Sequence, residues 1–310
     1  MASQINSLSE GTKANITTHF RTYVLFCLFF KLPVLPIVET NLLRFTQYIS
    51  RNFKAPSSVK NYVYGLQTLC FVKNWSFPDL KHSQFRMLFK GIARNLSHTP
   101  SRAHPMSPQL LLNLSEKMDF SSPYHTSMWA VMVCGFYLFC RLSNLLPQFK
   151  NFDKSKQLTR SDVFMAQDAV VFQIKWSKVV QTKERVIQTP LKAIPGSILC
   201  PKAALVNVCR VSKASSTDHL FAYRGDAGIT TITRSEFISF LRQKLSECGI
   251  KSSKFSGHSL RRGGATWAFS CGVPTELIKS HGDWRSDAYL LYLQFSLNDK
   301  LATTTSMSTH

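Results

Sequence analysis

Gly257-His258-Ser259-Leu260-Arg261-Arg262-Gly263-Gly264, then His281-Gly282-Asp283-Trp284, then Tyr289-Leu290-Leu291-Tyr292, is the stretch on which the reading of this chain turns. A helix opened by Ser256 or Gly257 puts His258 and Arg261, at i and i+3, on one face, where both side chains address one anion. Gly263, Gly264 and Ala265 let that helix pack closely, and Cys271-Gly272 ends it. Ser286-Asp287 reads as an N-cap, so Tyr289 and Tyr292 fall three apart on one short helix. Each part alone has an ordinary explanation: a helix-terminal histidine beside a surface arginine, and aromatics that simply pack. In this order they are the parts needed to open a phosphodiester through a tyrosine hydroxyl without a metal.

The bulk numbers agree with an anionic partner. Of 310 residues, 38 are Lys or Arg and 17 are Asp or Glu, a net charge of +21, and nucleic acid is the obvious polyanion. The longest apolar run, Tyr23 to Phe30, ends at Lys31 and is too short to span a bilayer. It lacks a leading basic region and a small-residue cleavage site, so it is a poor signal peptide. None of the eight cysteines forms a C-x-x-C pair, which leaves zinc ribbons and thioredoxin-like chemistry without support. Most lie in apolar contexts, as buried thiols of a reducing compartment do, so the expected location is nucleus or cytoplasm. The sequons at Asn15, Asn74, Asn95 and Asn113 are then expected to be silent. No metal-ligand cluster stands out, and neither a metal nor a cofactor is expected.

Working outward, residues 1–98 read as helical. Apolar residues recur with a helical period over Thr12 to Phe30 and Glu39 to Asn52. Ser57-Ser58 can cap a helix through Val59, Tyr62, Leu66 and Leu69, and another surrounds Phe85 to Ile92. Scattered Arg and Lys on these helices are able to grip a DNA backbone, or are ordinary solvated faces. Residues 99–105, polar and rich in proline, read as a linker. Helices resume over Pro108 to Met118 and Tyr124 to Leu146. Asp168 to Trp176 is rich in β-formers and can pair with Arg185 to Leu191 across Ser177 to Glu184 as a hairpin. Helices return from Pro201 and over Ser235 to Glu247. The fold class is mainly α with a small β-sheet.

Two further cations join the pattern. Arg141 follows the apolar run Phe136 to Cys140, where a lone cation is costly without a partner; snorkelling is the plain alternative. Lys178, in Lys175-Trp176-Ser177-Lys178, sits at the expected hairpin turn, where a lysine with lowered pKa can donate a proton. Lys175 and Lys183 compete with it, and an exposed turn lysine is the plain alternative.

An arginine, a lysine on a β-hairpin, His-x-x-Arg, His or Trp, and then Tyr resembles the tyrosine recombinase (integrase) family. Arg141-Leu142-Ser143-Asn144-Leu145 resembles the family's Arg-x-Ser-Glu-Leu box, with Asn144 in place of the acid, and His258-Ser259-Leu260-Arg261 fits His-x-Leu-Arg. Trp176-Ser177-Lys178, His258 to Thr266 and Gly282 to Leu290 are similar to recombinases of DIRS/Ngaro-type retrotransposons. The resemblance covers residues 10–296. It implies an N-terminal helical core-binding domain (1–98) and a C-terminal catalytic domain (106–296), joined by 99–105 and trailed by a flexible tail (297–310). It implies DNA strand exchange through a 3′-phosphotyrosyl intermediate on double-stranded DNA, by a tetrameric homo-oligomer of a mobile element, with no membrane. Family spacing from Gly282 selects Tyr292 over Tyr289 as nucleophile. It further implies Arg141 and Arg261 on the phosphate, Lys178 as proton donor, His258 in proton transfer, and Trp284 in the His/Trp role, with His281 as the alternative. A type IB topoisomerase and a domesticated DNA-binding protein are the other readings. Exchanged strands distinguish the enzyme from the first, and a covalent adduct distinguishes it from the second.

Overall fold

The structure, a computed structural model, describes residues 7–96, 98, 102–177, 185–293 and 301. The chain divides into two compact units, Met1–Ser101 and Arg102–His310.

The first unit is helical. Helix α1 (Glu10–Phe29) is capped by Ser9, whose hydroxyl accepts from the Thr12 amide. Helix α2 (Glu39–Ser50) follows, then α3 (Pro56–Lys73) and α4 (Ser83–Asn95). The expected Ser57-Ser58 cap is not how α3 starts. Pro56 occupies its first turn after Ala55, where a residue without an amide proton loses nothing. Tyr23, Leu42, Phe45, Leu66 and Phe85 are fully buried and make the core of this unit.

The second unit is built round α6 (Pro123–Tyr137), which follows α5 (Pro108–Ser115). Every residue from Thr126 to Phe136 is buried, so this helix is a hydrophobic post rather than an amphipathic one. The sequence pattern predicts one helix to Leu146; the structure breaks it. The chain leaves α6 at Leu138, passes Phe139 at φ +46°, and restarts as the short α7 (Leu142–Leu145) with Arg141 as N-cap. The cause is tertiary: the carbonyls of Tyr137 and Phe139 are taken by His281 and Arg261 instead of by helical amides.

Strands β1 (Val163–Met165), β2 (Ala169–Ile174) and β3 (Ile187–Lys192) form an antiparallel sheet in that order. The expected hairpin is β2 with β3, in the register Ala169 opposite Lys192 and Ile174 opposite Ile187. Val170, Phe172 and Ile174 alternate inward to the core. Pro190 is tolerated because β3 is an edge strand. β1, three residues long, has no clear sequence signal. Helix α8 (Pro201–Ser212), the hairpin β4 (Tyr223–Gly225) and β5 (Gly228–Thr230), and α9 (Arg234–Glu247) complete the scaffold. A reciprocal Thr233/Glu236 capping box starts α9. The chain then runs through α10 (His258–Ser270), α11 (Thr275–His281) and a 3-10 turn, Asp287–Leu291. All eight cysteines are free; five are buried, whereas Cys209 and Cys271 are exposed. Among the described residues no helix is long and apolar enough to cross a membrane.

Candidate functional site

Helix α10 organises the site. Its glycines permit contacts that no side chain would: a Cβ on Gly263 would run into the Met106 carbonyl, and one on Gly264 into the Phe136 carbonyl. The helix is therefore pressed against α6 and against residues 104–106, which also hydrogen-bond from His104 N to Lys254 O and from Met106 N to Ser259 O. The stretch read as a linker is thus partly strapped to this unit.

The first turn of α10 presents His258 to solvent. Partial burial of its ring lowers its pKa, and the charges of Arg261 and Arg141 lower it further, so it is neutral at pH 7. Arg261 is 2% exposed. Its guanidinium donates to the carbonyls of Phe139 and, at 3.1 Å, of Gly282. The Trp284 ring covers it, 3.7 Å from centroid to guanidinium carbon. Burial, and then Arg141, bring its pKa down to about 10. Arg141 is half-buried and faces the same space; Arg141, Asn144, Ser177, Arg261, His281 and Asp283 line one narrow cleft. Two guanidiniums facing one narrow cleft are the groups suited to receive an anion there.

The structure separates the two tyrosines. Tyr289 is 6% exposed, packed by Trp284 and by Lys279, whose Nζ lies 5.7 Å from the ring centroid. Tyr292 is half-buried at the end of the 3-10 turn, its ring 5.8 Å from Trp284, and it interacts electrostatically with Arg261. His281 and Trp284 also divide their work. His281 Nε2 lies 2.7 Å from the Tyr137 carbonyl and its ring packs edge-on against Phe139, while Trp284 lies over Arg261. Burial lowers the His281 pKa.

The hairpin lysines fare differently. Lys178 and Lys183 lie outside the described residues. Lys175 forms an ion pair with buried Asp162 at 2.5 Å. Asn144 is buried beside Arg141, and among the described residues its side-chain oxygen has no hydrogen-bond partner. Sequence reasoning gave no role to Asp283, which sits at φ +51° and pairs with Arg185, tying the end of the hairpin to the Gly282–Trp284 corner. It also passed over Arg262 and Thr266; nothing in their spacing distinguishes them from ordinary α10 residues. A larger concave region than the charged cleft is a mostly apolar groove lined by Phe139, Pro190, Leu191, Val273 and Leu277. It carries little of the cationic chemistry.

No protein-family model matches the sequence, and no curated protein matches it. Solved structures do match. The Tn1549 transposon integrase in complex with transposon right end DNA aligns over 99% of this chain and 98% of its own, with TM-score 0.61 and 11% identity. XerH site-specific recombinase in a post-cleavage complex with palindromic difH substrate covers 88% of this chain and 71% of that one, TM-score 0.58, 14% identity. A lambda integrase dimer bound to a COC′ core site covers 94% and 73%, TM-score 0.57, 11% identity. The chain has the tyrosine recombinase fold: a helical unit and then a mainly helical unit with small antiparallel sheets.

Proposed function

We propose that this chain breaks and rejoins double-stranded DNA through a covalent link to Tyr292. The observation that carries the reading is that Arg141 and Arg261 line one cleft and both act electrostatically on His258, while Arg261 also acts on Tyr292, although the four residues come from three separated segments. The phenol gives its proton to neutral His258, Tyr292 Oη bonds to phosphorus, and the bond from phosphorus to the 5′ oxygen breaks. The leaving oxygen takes a proton from Lys178 and becomes a 5′-hydroxyl. Arg141 and Arg261 hold the non-bridging oxygens as charge builds on them, and Trp284 walls the pocket. The tyrosyl ester keeps the bond energy, so a second 5′-hydroxyl reseals the strand without a nucleotide cofactor.

The neighbours of similar fold are recombinases and integrases solved on DNA, one as a dimer, which supports a DNA partner and a multi-protomer assembly for this chain. The net charge of +21 supports it independently. The kinship to DIRS/Ngaro-type mobile elements rests on the box wording alone. The domain boundaries proposed for this activity are 1–98 and 106–296, with 99–105 between.

A pool of nicked duplexes of randomised sequence tests the reading, because departure of the short nicked fragment traps the intermediate. The expected product is a protein–DNA adduct that survives denaturation and is absent with Tyr292→Phe. An adduct that persists in Tyr292→Phe and vanishes in Tyr289→Phe moves the nucleophile. Salt-sensitive binding without any adduct favours a DNA-binding protein.

A further inference from the structure

Arg261 and Arg262 are neighbours in sequence and point about 100° apart round α10. Arg261 turns to Phe139, Gly282 and Trp284. Arg262, 6% exposed, turns the other way: it donates to the Ala103 carbonyl, and its guanidinium carbon lies 6.0 Å from the Tyr292 ring centroid. One turn further on, at i+4, the Thr266 hydroxyl donates to the Tyr292 carbonyl. Arg102 reaches the same turn, its Nη1 3.5 Å from the Leu291 carbonyl. Among the described residues no carboxylate forms an ion pair with Arg262, and its Nε has no acceptor. Burying a cation in this way is costly, and burial together with Arg102 lowers its pKa, while Tyr292 acts to raise it.

We propose that Arg262 and Thr266 are positioning residues for the nucleophile. One flank of α10 holds the phosphate through His258 and Arg261, and the other holds the Tyr292 turn. The rigid helix between them then sets the separation between attacking oxygen and phosphorus. The inference rests on Tyr292 being the nucleophile. It goes beyond that reading by assigning two residues that touch neither the phosphate nor the leaving group.

The test compares Thr266→Val, Thr266→Ser, Arg262→Met and Arg262→Lys in single-turnover adduct formation at saturating DNA. The substrates are the nicked duplexes selected from the randomised pool, and DNA affinity and thermal melting are measured alongside. Misplacing a reacting atom by about 1 Å costs on the order of 100-fold, so Thr266→Val and Arg262→Met are expected to lose between about 10- and 100-fold in rate. DNA affinity is expected to stay within about twofold, and Thr266→Ser to recover most of the loss, because the hydroxyl and not the shape is what holds the turn. Thr266→Val keeps the β-branched shape and replaces only the hydroxyl, so it remains informative if the Arg262 variants fold poorly. The slow rate is also expected on a substrate with sulfur in place of the 5′ bridging oxygen, since such a group departs without a donated proton.

Wild-type rates in Thr266→Val and in folded Arg262→Met, with Tyr292→Phe inert, overturn this inference and leave the proposed function standing. Rescue by the sulfur substrate also overturns it, because the defect would then lie in leaving-group departure. An adduct that survives Tyr292→Phe overturns both.

Discussion

The α4 cations of the first unit and the α10 arginines of the second are held in opposite ways. In the first unit Arg86, Lys90 and Arg94 stand exposed on α4. The same unit also exposes apolar side chains: Phe29 is 75%, Phe71 70% and Met87 74% exposed. In the second unit Arg261 and Arg262 are buried and held by backbone carbonyls. A solvated cation contributes through diffuse attraction, is easily replaced, and weakens with salt. A desolvated one exists in a single geometry, so its loss removes a specific arrangement. Under the proposed function, the first unit would hold a polyanion and the second would act on one of its phosphates.

Arg261→Ala tests this most severely. It strips the donors from two carbonyls and the cover from Trp284, so adduct formation is expected to fall by about 100- to 1,000-fold, with a lowered melting temperature. If Arg261→Ala cleaves at the wild-type rate, the buried cations are only structural.

Acid should unsettle the second unit next. His219 is fully buried, and burial brings its pKa down to about 4 from an ordinary value of 6.5. Between those values the unfolded chain binds a proton that the folded chain refuses. Stability is therefore lost as pH falls from 6.5 to about 4, by up to about 3 kcal/mol. His125 and His281 shift in the same direction. Urea unfolding at stepped pH measures the slope; a His219 ring that titrates near 6.5 in the folded protein by NMR contradicts it.

A smaller effect separates two helical glycines. Gly264→Ala drives a methyl into the Phe136 carbonyl and should cost about 1–3 kcal/mol. Gly91→Ala on α4 meets nothing within 4 Å and should stabilise by about 0.4–1 kcal/mol. Thermal melts that rank the two the other way contradict the packing described for α10. The smallest effect belongs to the exposed cations. Lys90→Ala is expected to weaken DNA binding by only a few fold, equally across sequences, and to reduce the slope of log affinity against log salt by about 0.9. Titrations at several salt concentrations measure it. A loss of adduct rate at saturating DNA would dissolve the distinction between the units.

Much of this was legible in the chain. The periodicities of α1 to α4, the β2–β3 hairpin, the start of α10 at His258 and its end at Cys271 follow from local patterning, capping and turn chemistry. The His258–Arg261 pair follows from helix geometry. Other features were not legible, for particular reasons. The break at Phe139 lies in an uninterrupted apolar run, and it falls where His281 and Arg261 take the carbonyls of Tyr137 and Phe139. Tyr289 and Tyr292 have the same local context, and only packing buries one and leaves the other half-open. Arg262 reads as a second basic residue until Ala103 and the Tyr292 turn arrive beside it.

The sequence by itself determined the helical class, the hairpin, the excess of positive charge and the roster of candidate residues. Those follow from periodicity and residue chemistry within a few turns of chain. The tertiary structure decided which candidates face one another. That depends on backbone carbonyls and ring faces contributed by distant segments, and no local pattern encodes where those will lie.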